Sequence, residues 1–410
     1  MRPFLNTIVI AVWLSARLAP GGDGIPAALA DRLAPHTGQT LDVVELGTGK
    51  RFVRPRLEGV TVQKDVVTAL RLRPEGETKT VSVSLGAIVK IIASRETVYE
   101  KSAASGGAAQ ARGRRAREAY EKQLRASEAR MRERGVEPWP VLSAAEHAEQ
   151  LTALEAFVAD AKAAFPALET SRTHEFLVAT DIPSGQIAPC LANLDAMHDF
   201  LCDLYAIPRG EPVWRGKCLV FAFAREEDFL AFEGRFFDVA PRGVHGLCHQ
   251  RSDGRVIMAC HRGDDASAFG HMLVHETSHG FNHRWISPER LPNWLNEGIA
   301  EWVGTQVVPA CRQVPVKEAR ALDLMRTRRS VGEGFFDPGP DVHIHPDQYG
   351  IASSLVRFMV ARDRKKFAAF VHGIKEGLDV ETSLQESFRA SLDDLIGAYG
   401  KAVGVPDLAR

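Results

Sequence analysis

Two histidines four residues apart, His275 and His279, enclose Glu276, which directly follows the first of them. On a helix, positions i and i+4 lie one turn apart on the same face, so the two imidazoles can share one metal ion. This H-E-x-x-H order suits zinc-dependent hydrolysis, with two ring nitrogens as ligands and a neighbouring carboxylate as general base. A catalytic zinc takes three protein ligands and leaves a fourth position to water. Glu297 is the candidate third ligand. It lies in a second apolar, helix-like run from Asn293 to Val308, and Glu301 follows it one turn later. Met272, Leu273 and Val274 precede the first histidine, so the helix carrying the pair is expected to be partly buried.

The same stretch holds a ladder of His271, His275, His279 and His283 at four-residue steps. Any adjacent pair could chelate a metal on spacing alone, but only His275 is followed by a glutamate. Gly280 reads as the end of the helix, which takes His283 off the ladder. His271 and His283 are therefore expected to stand behind the ligands or in solvent.

His275-Glu276-Thr277-Ser278-His279 is followed, after seventeen residues, by Glu297 within Leu291-Pro292-x-Trp294-Leu295-x-Glu297-Gly298-x-Ala300-Glu301. The pattern resembles the gluzincin metallopeptidases, among them thermolysin-like and aminopeptidase-N-like enzymes, and in particular the bacterial peptidase MA-like proteins. It covers roughly residues 170–405. The resemblance implies an α+β, zincin-like metallopeptidase domain with a mixed sheet, active-site helices and a C-terminal helical part. It also implies Zn2+ held by His275, His279 and Glu297, with Glu276 moving a proton from water to the leaving amine of a peptide or protein substrate. A Tyr or His beyond the third ligand would donate to the oxyanion; Tyr349 is the match, with His343 and His345 as alternatives. Glu301 would orient a ligand histidine through its free ring nitrogen. The strand at 255–261 would line the groove and pair with an extended peptide. Trp294 and Trp302 are expected in the core.

The rest of the chain must position these residues. At 410 residues it has room for two or three domains. A net charge of −1 argues against nucleic-acid binding by overall charge. Residues 1–19 read as an export signal: Arg2, an apolar run from Phe4 to Leu14, then Ala16 and Ala19. Export implies a periplasmic, cell-surface or secreted protein, with surface or envelope association. No stretch reads as a transmembrane span. The six cysteines then permit disulfides, and Cys248 with Cys260, flanking the Asp253-Gly254 turn, is the local candidate pair.

Residues 38–99 read as a small β-barrel-like module, with strands at Leu41–Glu45, Val60–Gln63, Ala69–Leu72, Val81–Leu85 and Ile88–Ala93. Residues 100–140 read as a linker, Ser102–Ala109, and a charged, solvated helix, with nine basic and four acidic residues between Arg112 and Arg134. The metallopeptidase-like domain is assigned to 141–405. Ser143-x-x-Glu146 is a capping box that opens a helix to about Ala164. Strands follow at 176–180, 218–223 and 255–260, and helices at 186–205 and 226–237. A Gly- and Pro-rich loop spans 332–350, and helices run from 351 onward. A non-catalytic scaffold with a structural zinc is the rival reading, and such a site takes four protein ligands. A hydrolase of non-peptide amides or esters would use the same residues.

Overall fold

Short apolar–polar alternations broken by turn residues pair locally, and the first part of the chain does so as seven strands. They are β1 (Val43–Leu46), β2 (Arg51–Val53), β3 (Arg56–Gln63), β4 (Val66–Arg73), β5 (Val81–Ser84), β6 (Ile88–Ala93) and β7 (Glu96–Glu100). The computed structural model describes residues 29, 33–46, 51–63, 66–85, 88–93, 96–100, 107–241, 243–336 and 343–410. The export signal expected at 1–19 lies outside them. β3, β4 and β5 form an antiparallel meander, and the order β2-β1-β6-β7 forms a second sheet. No closed barrel is found among the described residues. β5 and β6 are consecutive but join different sheets, which breaks the ladder that a barrel must keep continuous. Leu41, Val44, Leu57, Leu70, Leu72, Ile88 and Ile91 fill one core. The chain divides into two compact units, one ending at Arg114 and the other running from Arg115 to Arg410.

Helix α1 (Gly107–Glu133) is the expected charged helix, and it takes in residues 107–109 that read as linker. From Arg115 it belongs to the second unit, and it is solvated on one side only. Met131 and Ser127 are buried. Arg130 Nε donates to Glu376 at 2.8 Å and Arg134 Nη1 at 3.2 Å, so part of its charge fastens the helix down. The capping box at Ser143 is formed and starts α2 (Ala144–Ala164).

A five-stranded sheet organises this unit: β8 (Glu169–Arg172), β9 (Phe176–Thr180), β10 (Cys218–Phe223), β11 (Gly246–Gln250) and β12 (Val256–His261), in the order β11-β12-β10-β9-β8. The central three are parallel and the two edges antiparallel. The central strands are continuous apolar runs because both of their faces are covered. Val178, Val220, Ala222, Met258 and Cys260 point into the large core. Leu177, Leu219, Phe221, Phe223 and Ile257 point the other way, into a smaller core with Phe229 and Phe232 of α4 (Glu226–Phe236). Helix α3 (Ser184–Leu204) contributes Leu194, Met197 and Leu201 to the large core.

On that same side lie α5 (Ala266–Arg284) and α6 (Asn293–Val307), the two helices that carry the chemistry-bearing motif. Beyond them come α7 (Gln313–Arg328), α8 (Tyr349–Arg362), α9 (Arg364–Lys375), α10 (Val380–Phe388) and α11 (Leu392–Ala402). Trp294 and Trp302 are buried, as expected. No helix among the described residues is long and apolar enough to cross a membrane.

Three expectations are corrected here. Gly280 does not end α5, which continues to Arg284. A Cβ at Gly280 would lie 2.5 Å from Val256 Cγ1 and 3.1 Å from Cys248 Sγ, so the glycine lets the helix press on the sheet. The strand at 255–261 cannot accept an added strand, because β12 is paired on both sides; β11 is the edge. The Cys248–Cys260 bridge is absent and all six cysteines are free. The expected hairpin forms, but its register sets Cys248 opposite Met258 and Gly246 opposite Cys260.

Candidate metal centre

Helix α5 starts on Asp265, whose carboxylate accepts from the Ser267 and Ala268 N–H groups. Its motif is seated by the two residues between the histidines. Thr277 and Ser278 are buried and return their hydroxyls to the Leu273 and Val274 carbonyls, both at 2.7 Å. This leaves the His275–His279 face pointing away from the sheet and toward α6. Close approach of neighbouring helices is secured by glycine at Gly298, where a Cβ would stand 2.6 Å from the Ala352 carbonyl oxygen of α8.

Three of the expected residues converge. His275 Nε2 and His279 Nε2 are 3.2 Å apart, and Glu297 Oε2 is 3.2 Å from the first and 3.5 Å from the second. Zinc bonds of about 2.0–2.1 Å at tetrahedral angles place neighbouring ligand atoms about 3.3 Å apart. The triangle therefore has the size of one face of a zinc tetrahedron. Glu297 Oε2 is buried with no hydrogen-bond partner, an orphan that a cation at the centre of the triangle would satisfy. These three form the one group of metal-competent ligands among the described residues.

Charge reinforces the geometry. Burial disfavours the charged form of His279, but the Glu297 and Glu276 carboxylates outweigh it and raise the ring to about 9. Burial likewise opposes the Glu297 charge, and His279 and His275 hold its carboxyl well below the usual carboxylate range. Burial pushes Glu276 upward, against the pull of the two histidines.

Glu276 stands where two cavities meet. One, of about 530 Å³, is lined by Leu247–Arg251 of the sheet edge together with His279, His283, Asn296, Glu297 and His343. The other, of about 450 Å³, is lined by His245, His261, His271, His275, Glu301, Lys317 and Tyr349. Tyr349 and His343 therefore lie on opposite sides of Glu276. Burial pushes the Tyr349 phenol well up, helped by Glu297, Glu301 and Glu276, so it is a proton-bearing donor at neutral pH. His345 is exposed and instead caps the turn before α8, accepting from the Asp347 N–H.

Glu301 is buried behind the trio. Its Oε1 lies 3.9 Å from His275 Nδ1 and its Oε2 3.7 Å from His271 Nε2, and it pairs with Lys317. His271 is buried, and Gly304 makes room for it: a Cβ there would lie 2.4 Å from His271 Nε2. His283 is half-buried, with Nε2–H donating to the Arg251 carbonyl at 3.2 Å. Neither is simply solvated.

Sequence reasoning missed Lys317, which also stands over the Tyr349 ring at 5.4 Å. It missed a hydrogen-bond chain as well: Tyr205 Oη donates to Asn282 Oδ1 at 3.1 Å, and Asn282 Nδ2 to Asn296 Oδ1 at 3.3 Å, joining α3, α5 and α6 beside Glu297. Asn296, immediately before Glu297, was the one local signal. Compared with known proteins, the chain matches no family model and no curated sequence.

Proposed function

We propose that the second unit is a zinc-dependent peptidase of the gluzincin type. The observation that carries this reading is the triangle of His275, His279 and Glu297, with edges of 3.2–3.5 Å and Glu276 beside it at the junction of two cavities. Three protein ligands rather than four favour a catalytic over a structural ion. Zinc held there would supply a Lewis acid that acidifies water and polarises a carbonyl. The chain's own residues do the rest. Glu276 takes the proton of the attacking water and delivers it to the leaving amine. Tyr349 donates its phenolic hydrogen to the oxygen on which negative charge develops. Glu301 steadies His275, and Lys317 keeps the Glu301 charge matched. The outer edge of β11, which is unpaired among the described residues, is where an extended substrate adds as a further strand.

Glu276→Gln tests the reading, because it keeps size and polarity and removes the base. The variant is expected to fold and bind zinc like the wild type while hydrolysing a peptide library about 10²–10⁴-fold more slowly. Equal rates from two equally zinc-loaded proteins would exclude Glu276 as the base. Zinc binding without hydrolysis by the wild type would favour a scaffold.

A further inference from the structure

A second constellation lies at the far end of α5 and takes no part in the chemistry above. Arg284, the last residue of the helix, is 8% exposed. Its Nε is buried without a partner, while its two terminal nitrogens, which make no hydrogen bond or ion pair among the described residues, are not buried and are reached from the adjoining cavity. Burial and the nearby Arg215 charge push it down only to about 10, so it stays charged at neutral pH. The helix-end carbonyl that might have matched it, that of His283, is taken by Trp139 Nε1 at 3.0 Å and approached by Lys375 Nζ at 3.5 Å.

The neighbouring charges aggravate the imbalance. Gly254 packs against both arginine stems and the indole of Trp139: a Cβ there would lie 3.3 Å from Trp139 Cε3 and 3.4 Å from each of Arg215 Cδ and Arg284 Cδ. Arg215 Nε is likewise buried and unpartnered. Two acidic residues border the same cavity, but Glu211 is bound by Arg117 and Glu128 pairs with Arg132 at 3.6 Å. A buried guanidinium left unmatched is expensive, and such charges are normally paired.

The space beside Arg284 supplies the rest. A cavity of about 120 Å³ opens there, walled by Tyr120, Trp139, Leu142, Val213 and Trp285. The guanidinium stands 5.6 Å over the Trp139 ring, which leaves its edge free for a planar acceptor. Cavities of about 150 Å³ hold a benzene ring, so the occupant is smaller than that, with a short branched chain as its body. We infer that this cavity binds a small organic carboxylate, its charged end on Arg284 and its apolar body against Trp139, Leu142 and Trp285. The inference is independent of the catalytic reading, since none of these residues touches the metal triangle.

Isobutyrate and isovalerate are the probes, isobutyramide the neutral control and inorganic phosphate the control for charge alone. Titration calorimetry and thermal melts on the full chain are expected to show saturable one-site binding of the acids, with a rise in Tm. Isobutyramide and phosphate should each bind at least about tenfold more weakly, since one lacks the charge-assisted hydrogen bonds and the other the apolar body. Arg284→Met should lose the ligand-dependent shift yet melt no lower than the unliganded wild type, because it removes an unmatched buried charge. Absence of saturable binding by either acid would overturn the proposal, as would equal binding of isobutyramide or phosphate. Retention of the shift in Arg284→Met would do the same. The comparison of acid with amide is made on the wild type alone, so the test stands even if the variant does not fold.

Discussion

Glu297 has no hydrogen-bond partner for its inner oxygen, and its nearest polar neighbours are the two histidines of α5. On the proposed reading, removing its carboxylate takes away one of three ligands, whereas removing the charge of Glu301 weakens only the support behind His275. Glu297→Ala is therefore expected to emerge from purification with almost no zinc. Glu301→Gln should keep the metal but bind it about 10–100-fold more weakly, as outer-shell changes commonly do. Metal analysis and competition with a chelator separate the two; full occupancy in Glu297→Ala would remove Glu297 from the ligand set. These residues were legible in the sequence because helical spacing is itself a three-dimensional statement: four residues is one turn. Lys317 and Asn282 were not. Lys317 comes from α7, and its meeting with Glu301 depends on how two helices pack, which no local spacing encodes. His271 looked like a spare rung of the ladder, and only the absence of a side chain at Gly304 shows where its ring goes.

At the scale of elements, glycines set how closely the motif helices approach their supports. Glycine is the commonest residue just past a helix end, so on sequence alone Gly280 reads as a stop signal. In α5 it is an interior residue that lets the helix lie against β11 and β12. Gly280→Ala would improve intrinsic helix propensity by about 1 kcal/mol. Against that, its methyl would enter the space of Val256 Cγ1 at 2.5 Å, and overpacking of this kind costs about 1–3 kcal/mol. A net loss of stability is expected by chemical denaturation, together with weaker zinc binding as His275 and His279 are displaced. A more stable variant would mean that the contact yields easily. The strands of the sheet were found where apolar runs are continuous, as in Cys218–Phe223. β8 (Glu-Thr-Ser-Arg) escaped notice because it is an edge strand, built by pairing with β9 rather than by its own composition. The same limit hid β11 as the free edge: from sequence the hairpin was visible, but which of its strands faces the rest of the sheet was not.

The molecule as a whole carries several basic groups that folding keeps from protonation, and they give its stability a pH dependence. Burial pushes His283 down to about 4, with the Lys375, Arg290 and Arg284 charges adding to it and the Arg251 carbonyl opposing. Burial also pushes His198 to about 4. Glu175 Oε2, 3.4 Å from the His198 ring, favours the charged form, but burial prevails because the imidazole is almost wholly enclosed. In the unfolded chain both rings titrate near 6.5. Between these values the unfolded state binds protons that the folded state refuses, so the contribution is complete above pH 6.5 and is lost as the pH falls toward 4. Carboxylates held low in the fold, such as Glu376, act in the same direction but only below about pH 4.5. Between pH 7 and 5 His283 and His198 therefore lower the stability as the pH falls, while His279, raised to about 9, acts the other way and is common to wild type and variant. His283→Gln keeps a donor for the Arg251 carbonyl and removes the titrating ring. Discounted for its partial exposure, His283 accounts for about 1–2 kcal/mol of the stability lost between pH 7 and 5. Urea denaturation of metal-free wild type and variant across that range is expected to give a shallower fall for His283→Gln by that amount. Parallel curves would show that the ring is as free to protonate in the fold as in the unfolded chain, and that the three cations around it leave its titration unchanged.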